Sequence, residues 1–448
     1  MTKPSITLII NLTIQTEENK KANNKLNVIV IGAGSRGRAY TDIMADLPEK
    51  FKVVGVAEPI DDRREYIIQK HGVSSENAYT TWEDILAVPK FADVAVIATM
   101  DRMHRDPAMK ALELGYDLLL EKPVAPTPED CAEIYNYAKK MGRKIMVCHV
   151  LRFTSYFRAL KGIIDSGKLG EIISVEHTEA VGNVHQSHSF VRGNWGNEQE
   201  SSPMLLQKCC HDLDILQWML GKQCKRISSF GSLRYFTLKN APEGSPDYCV
   251  DGCPEADNCP YNAVKLYYDD KKNDWFRGAM TKMAVPTDEA VMDCLKSTQY
   301  GKCVFKCNNN VVDHQVVNME FDEGLTVVFT MTCFNAGGRH TKIYGTKGEL
   351  WASMEETEAK FFDFKTRKWE TLPTNESAVV TSLVGGHGGG DNGIVEVLYD
   401  YVNGNVAAED VSEIGVSCRN HMLVFAAEKS RHEGVVVDVE KYIKDVIG

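Results

Sequence analysis

Lys122 stands directly after Glu121 and before Pro123, at the end of the apolar run Leu118–Leu120. An amine held at the end of a buried strand can move a proton beside a reacting carbon, and the proline stiffens the turn that aims it. The competing reading is a lysine that snorkels to solvent and pairs with Glu121. His211, followed by Asp212 and Asp214, is of a type that can exchange protons near neutrality. Its alternative is a solvated histidine on a surface helix. The loop GAGSRG supplies a third set: Gly32, Gly34 and Gly37 match GxGxxG, with Ser35 and Arg36 between them. The first glycine makes the tight turn, the second lets backbone approach a pyrophosphate, and the third allows close helix packing. Finally, Cys249, Cys253 and Cys259, with Cys303 or Cys307 as a fourth ligand, are spaced to close a structural zinc site. An iron–sulfur cluster would need the same thiolates, and free buried thiols are the other reading.

These residues must be positioned by a chain of 448 residues, too long for one ordinary core, so two domains with a cleft between them are expected. A net charge of -11 with no compensating basic stripe argues against nucleic acid or an anionic membrane as partner and for a small-molecule ligand. No run of apolar residues is long enough to span a bilayer. Residues 1–24 read as a flexible extension. Within it Ile6–Ile14 resembles a short signal segment without a small-residue cleavage site, so a cytoplasmic location is expected, with export as the alternative. The 13 cysteines of a chain this size read as reduced thiols.

Buried strands are expected at 27–31, 53–57, 94–98, 118–120 and 145–147, alternating with helices such as 38–46 and 127–141. In the latter Thr127 is the N-cap, Pro128 occupies the first turn, Asp130 completes a capping box and Gly142 ends the helix. The pattern predicts a doubly wound parallel sheet, a Rossmann fold, over 25–147. Glu58, Thr99 and Glu121 then stand at carboxyl ends of strands, where such sheets bind ligands. Glu58 lies about twenty residues after the last glycine, where an acid meets the ribose hydroxyls of NAD. Arg63 and Arg64 follow it and leave NADP open.

GAGSRG, then VIATM with Met100 and the nearby His104, then EKPVAPTPED, resemble the glucose-fructose oxidoreductase / inositol dehydrogenase / rhizopine catabolism (Gfo/Idh/MocA) family from about residue 25 onward. The resemblance implies cofactor contacts from the glycine loop, Glu58, Thr99, Met100, His104, Glu121 and Lys122. It also implies that Lys122 lies beside nicotinamide and substrate and that His211 is the acid/base. It implies a second domain over 148–448 with a large, mostly antiparallel open sheet, a homo-oligomer (dimer or tetramer) formed through that sheet, and a carbohydrate substrate. The histidine helix is expected within Ser202–Gly221, with Leu206, Cys209, Leu213, Leu216 and Leu220 as an apolar stripe, Gln207, His211 and Asp214 on the opposite face and Lys208 at its flank.

One departure is visible. Where many family members carry an aspartate one turn before the histidine, this chain has Gln207, with Lys208 beside it, and an amide cannot relay a proton. Gln207, Lys208, His149, Arg152, His387 and Asp391 are the candidate substrate contacts, the last two in the glycine-rich stretch GGHGGGDNG. HSFVRGNW reads as a loop before the histidine helix. Residues 311–334 predict a β-hairpin, followed by a second strand pair, and about 240–310 form a cysteine-rich insertion. Three functions stay open: a dehydrogenase of a sugar, inositol or polyol, a glycosidase that oxidises transiently and regenerates NAD, and a non-catalytic dinucleotide-binding protein.

Overall fold

The computed structural model describes residues 24–283, 285–374 and 387–447. The expected N-terminal extension, apart from Asn24, and Gly385 and Gly386 lie outside them. Six strands form the first sheet: β1 (Leu26–Ile31), β2 (Phe51–Ala57), β3 (Ala78–Tyr79), β4 (Val94–Ile97), β5 (Asp117–Leu120) and β6 (Ile145–Val147). Their order is β3-β2-β1-β4-β5-β6 and every pair is parallel. The runs Val28–Ile31, Val94–Ile97 and Leu118–Leu120 are buried on both faces, which is why they read as continuous apolar stretches. Chain direction across the sheet reverses between β1 and β4, opening a crevice at their carboxyl ends.

The helix after the glycine loop starts at Ser35, three residues earlier than its periodicity indicated, because Gly34 already serves as its N-cap. The helix Pro128–Met141 has the predicted ends: Thr127 Oγ1 accepts the Asp130 N–H at 3.2 Å, and Gly142 closes it with φ +62°. The Lys122–Pro123 peptide is cis.

The second sheet has nine strands: β7 (Ile172–Ala180), β8 (Cys224–Ser232), β9 (His314–Phe321), β10 (Thr326–Thr332), β11 (Gly338–Gly345), β12 (Gly348–Ser353), β13 (Glu358–Asp363), β14 (Lys368–Pro373) and β15 (Val437–Asp438). They lie in the order β14-β13-β12-β11-β7-β10-β9-β8-β15, antiparallel except for β7 with β10. The predicted hairpin is β9–β10, turning through Asp322–Gly324.

Two expectations are corrected. The stretch Ser202–Gly221 is two helices, Met204–Gln207 and Cys210–Leu220, and the second is buried on nearly every side. It is packed against the long helix Ile414–Glu433, and its Asp212 meets His177 and Arg339 of β7 and β11, so its polar residues pair inside the protein and no solvent face exists. Likewise HSFVRGNW is not a loop: Gln186–Arg192 forms a π-helical turn with every residue buried.

The boundary at 147/148 separates the sheets but not the cores. The helix Gly390–Asn403 packs back on the helix Ser35–Ala45, and its Ile394, Val395 and Leu398 join the core of Val28, Val30, Val53 and Val94. Among the described residues no helix is long and apolar enough to cross a membrane.

Candidate active site

The glycine loop is built by close contacts that only glycine permits. Gly32 has φ +89°, and a Cβ there would meet the Ala98 carbonyl oxygen at 2.6 Å; one on Gly37 would meet the Gly32 oxygen at 2.0 Å. Gly34 differs: a Cβ there would touch only Arg63 Nη1, at 3.6 Å. Its outer side is open and its residue caps the helix without a side-chain bond, so helix N–H groups face the crevice, which is the requirement for a pyrophosphate. The buried Glu58 accepts from the Ala33 N–H at 2.7 Å and the Ile60 N–H at 3.0 Å, holding the end of β2 to this loop. Residues and cradle fit a dinucleotide.

At the end of β4, His104 spans two strands, with Nδ1 2.7 Å from the Pro123 oxygen and Nε2 3.1 Å from the Thr99 oxygen. Thr99 Oγ1 donates to the Met103 oxygen at 3.0 Å, and Met100 is exposed at the rim. His104 therefore braces the crevice wall. Ser35 opens the first helix, while the Arg36 side chain turns inward: its Nε lies 2.9 Å from Glu121 Oε1 and its Nη2 2.5 Å from Asp391 Oδ1. Glu121 also accepts from Tyr40 Oη at 2.6 Å and from the Lys122 N–H at 2.9 Å. Burial acts to raise its pKa, but Arg36 and Lys122 outweigh that and hold it below the usual range.

Lys122 reaches across to the second domain, where its Nζ donates to the Gln207 oxygen at 2.8 Å. That carbonyl ends the short helix, immediately before the break that sets off the histidine helix. The Gln207 side chain is buried and its Oε1 has no hydrogen-bond partner in the protein. His211, also buried, meets His149 edge to face with ring centroids 5.7 Å apart, and His149 meets His421 at 5.5 Å. His421 accepts the Val124 N–H at 3.1 Å and donates to the Ser417 oxygen at 2.8 Å. Burial, reinforced by neighbouring cations, lowers His149 to about 4; burial and His149 lower His421 to about 3. Both rings are thus neutral at physiological pH.

Arg152, read from sequence as a sugar contact, is used differently. Its Nε and Nη2 both donate to Asp214 at 2.6 Å in a buried bidentate pair, with Asn420 also donating to Asp214 at 2.5 Å. Asp212 pairs with Arg339 at 2.7 Å and with His177 at 3.1 Å. Although burial opposes it, Arg339 and His177 lower its pKa to about 2. Lys208 lies 3.4 Å from Glu179, which also pairs with Arg339 at 2.7 Å. These three line a cavity of about 130 Å³ with Gly182, His185 and Gly338. Sequence reasoning missed Glu179, Arg339 and His421, because nothing near them in the chain marks them; only β7, β11 and the helix Ile414–Glu433 bring them to the site.

Asp391 sits in the first turn of the helix Gly390–Asn403, and His387 in the turn before it. Cys249, Cys253, Cys259 and Cys303 line one cavity. No three of their sulfurs lie within 4.8 Å of one another; among the described residues that proximity is met by Glu198, Glu428 and His432.

Comparison with known proteins agrees with this architecture. YteT of Bacillus subtilis (strain 168) is 25% identical over 399 residues, 83% of this chain and 88% of that protein. Inositol 2-dehydrogenase of Salmonella typhimurium is 23% identical over 202 residues, and the match spans 45% of this chain and only 56% of that enzyme. A levoglucosan dehydrogenase solved with NADH and levoglucosan shares the fold, with a TM-score of 0.66 at 18% identity over 93% of this chain and all of that one (100%). Residues 26–149 match the model of the oxidoreductase family's NAD-binding Rossmann fold and residues 161–408 that of its C-terminal alpha/beta domain, so the chain belongs to the Gfo/Idh/MocA oxidoreductase family and has its NAD(P)-binding fold.

Proposed function

We propose that the protein oxidises a secondary alcohol of a sugar, inositol or related polyol, with His211 taking the hydroxyl proton and Lys122 holding the reacting oxygen. NAD, with NADP as the alternative, accepts the hydride when bound. The observation that carries the reading is the meeting of Lys122, from the end of β5, with Gln207 at the foot of the histidine helix. The amine thereby contacts the segment that carries the imidazole. Lys122 is steered by Glu121, itself fixed by Arg36 and Tyr40. Gln207 and Lys208 supply substrate contacts, Gln207 through its unpartnered Oε1. His149 shapes the pocket wall as a neutral ring.

The reading includes a homo-oligomer through the outer face of the second sheet. There Phe230, Val328, Trp351 and Trp369 are exposed on the side opposite the core, a pattern of apolar surface that marks an interface. Light scattering on the purified protein tests it; a monomer overturns it.

The deciding experiment follows NADH absorbance and aglycone release in parallel while the protein meets NAD or NADP and a panel of sugars, inositols and chromogenic glycosides. Reduced cofactor accumulating with a free sugar or polyol supports the dehydrogenase, and Lys122→Ala is then expected to lower kcat by roughly 10² to 10⁴-fold. Aglycone release without reduced cofactor replaces it by the internally redox-neutral glycosidase. Turnover unaffected by Lys122→Ala removes the assigned role.

A further inference from the structure

The cysteine-rich insertion contains chemistry that the proposed reaction leaves unused. Cys249, Cys253, Cys259 and Cys303 line a cavity of about 20 Å³, room for one water-sized centre and too little for an organic ligand. Distant chain segments are joined there by an antiparallel bridge between Tyr248 and Lys302, with the Cys303 N–H donating to the Asp247 oxygen at 2.8 Å. The insertion's own core, built around Tyr267, Phe276 and Leu295, is small, the situation in which a bound metal takes over part of the work of a core.

The second observation is Arg192. This guanidinium lines the same cavity and is 2% exposed. Its Nε donates to the Lys302 oxygen at 2.9 Å and its Nη2 to the Tyr261 oxygen at 2.7 Å, with Cys249 Sγ 3.9 Å from Nη2. Tyr267 and the thiols of Cys249 and Cys307 stand around it, and among the described residues no ion pair joins it to a carboxylate. A buried cation without a counter-ion is strongly disfavoured. Neutral thiols do not supply one. Four thiolates around a divalent cation carry a double negative charge, and that is the partner this arginine lacks.

We propose that Cys249, Cys253, Cys259 and Cys303 form a structural tetrathiolate site for zinc, with Arg192 as its counter-ion. Each thiol releases its proton to solvent as its sulfur–metal bond forms, and nothing is oxidised or reduced. Ligation draws the sulfurs together from an arrangement in which no three lie within 4.8 Å of one another, and a change of χ1 rotamer moves a cysteine sulfur by about 3 Å. The site would stiffen an insertion that also meets the first domain, where Arg63 Nε donates to the Lys282 oxygen at 3.2 Å above the glycine loop.

The test is the metal content of the full chain, purified under reducing conditions without chelator, together with thiol titration and mass mapping without reduction. About one zinc per chain is expected, falling at least tenfold in Cys253→Ser, with Arg192→Met retaining zinc less tightly against a chelator. Because a serine variant that fails to fold would mislead, Co²⁺ is also added to the zinc-stripped wild-type protein, and a thiolate-to-cobalt charge-transfer band is expected. Metal-free protein that gives no such band, a disulfide among these cysteines, or iron with inorganic sulfide in place of zinc would overturn the proposal.

Discussion

At the scale of single residues, His149 stands between His211 and His421 in a buried run of three rings. His421 illustrates how burial tunes them: folding leaves it neutral, with a pKa near 3 against 6.5 in the unfolded chain. Below pH 6.5 the unfolded chain therefore takes up a proton that the native state refuses, so this part of the stability is complete above that pH and is lost as pH falls toward 3. Between pH 7 and 4 the loss is about 3 kcal/mol for this one group. His421→Gln can keep both hydrogen bonds without titrating, and urea unfolding across that range is expected to show a flatter decline than the wild type; an unchanged slope would remove His421 from the account. The Arg152–Asp214 pair is the opposite case. Arg152→Met leaves a fully buried carboxylate without its fork, and a loss of about 3–5 kcal/mol in unfolding free energy is expected. A sugar-contact role would instead predict a raised KM at near-normal stability.

Among elements, the glycine loop separates two uses of the same residue type. A methyl at Gly37 collides with backbone at 2.0 Å, whereas one at Gly34 meets only the movable end of Arg63 at 3.6 Å. Gly37→Ala is therefore expected to lower the melting temperature and abolish cofactor binding together. Gly34→Ala is expected to leave the melting temperature within about 2 °C while weakening cofactor binding at least tenfold, since its methyl fills the space a pyrophosphate needs. Calorimetry and fluorescence titration of both variants check this. The histidine segment shows where element reading stops. Leu206, Leu213 and Leu216 are buried as their spacing indicated, yet so are His211, Asp212 and Asp214, and a helix covered on all sides has no amphipathic signature to read.

At the scale of the whole molecule, charges tie a helix from late in the chain to the first sheet. Arg36, in the first glycine loop, binds Glu121 at the mouth of β5 and Asp391 on a helix that begins more than three hundred residues later. Asp391→Ala is expected to cost about 1–3 kcal/mol and to weaken cofactor binding as well, because Arg36 then loses one of the anchors that fix the loop. Stability loss with unchanged affinity would confine the tie to a structural role.

What the sequence determined by itself was local: which runs are buried strands, where the helix Pro128–Met141 starts and stops, which glycines turn the phosphate loop, and that Lys122 closes a strand. Each follows from neighbours in the chain, through steric freedom, capping and apolar periodicity. Tertiary structure alone decided that Arg152 is spent on Asp214, that Glu179 and Arg339 flank Lys208, that Asp391 holds Arg36, and that four cysteines share a cavity with a buried arginine. Those pairings join residues far apart in sequence, and the energy of a buried charge depends on which partner the fold delivers to it.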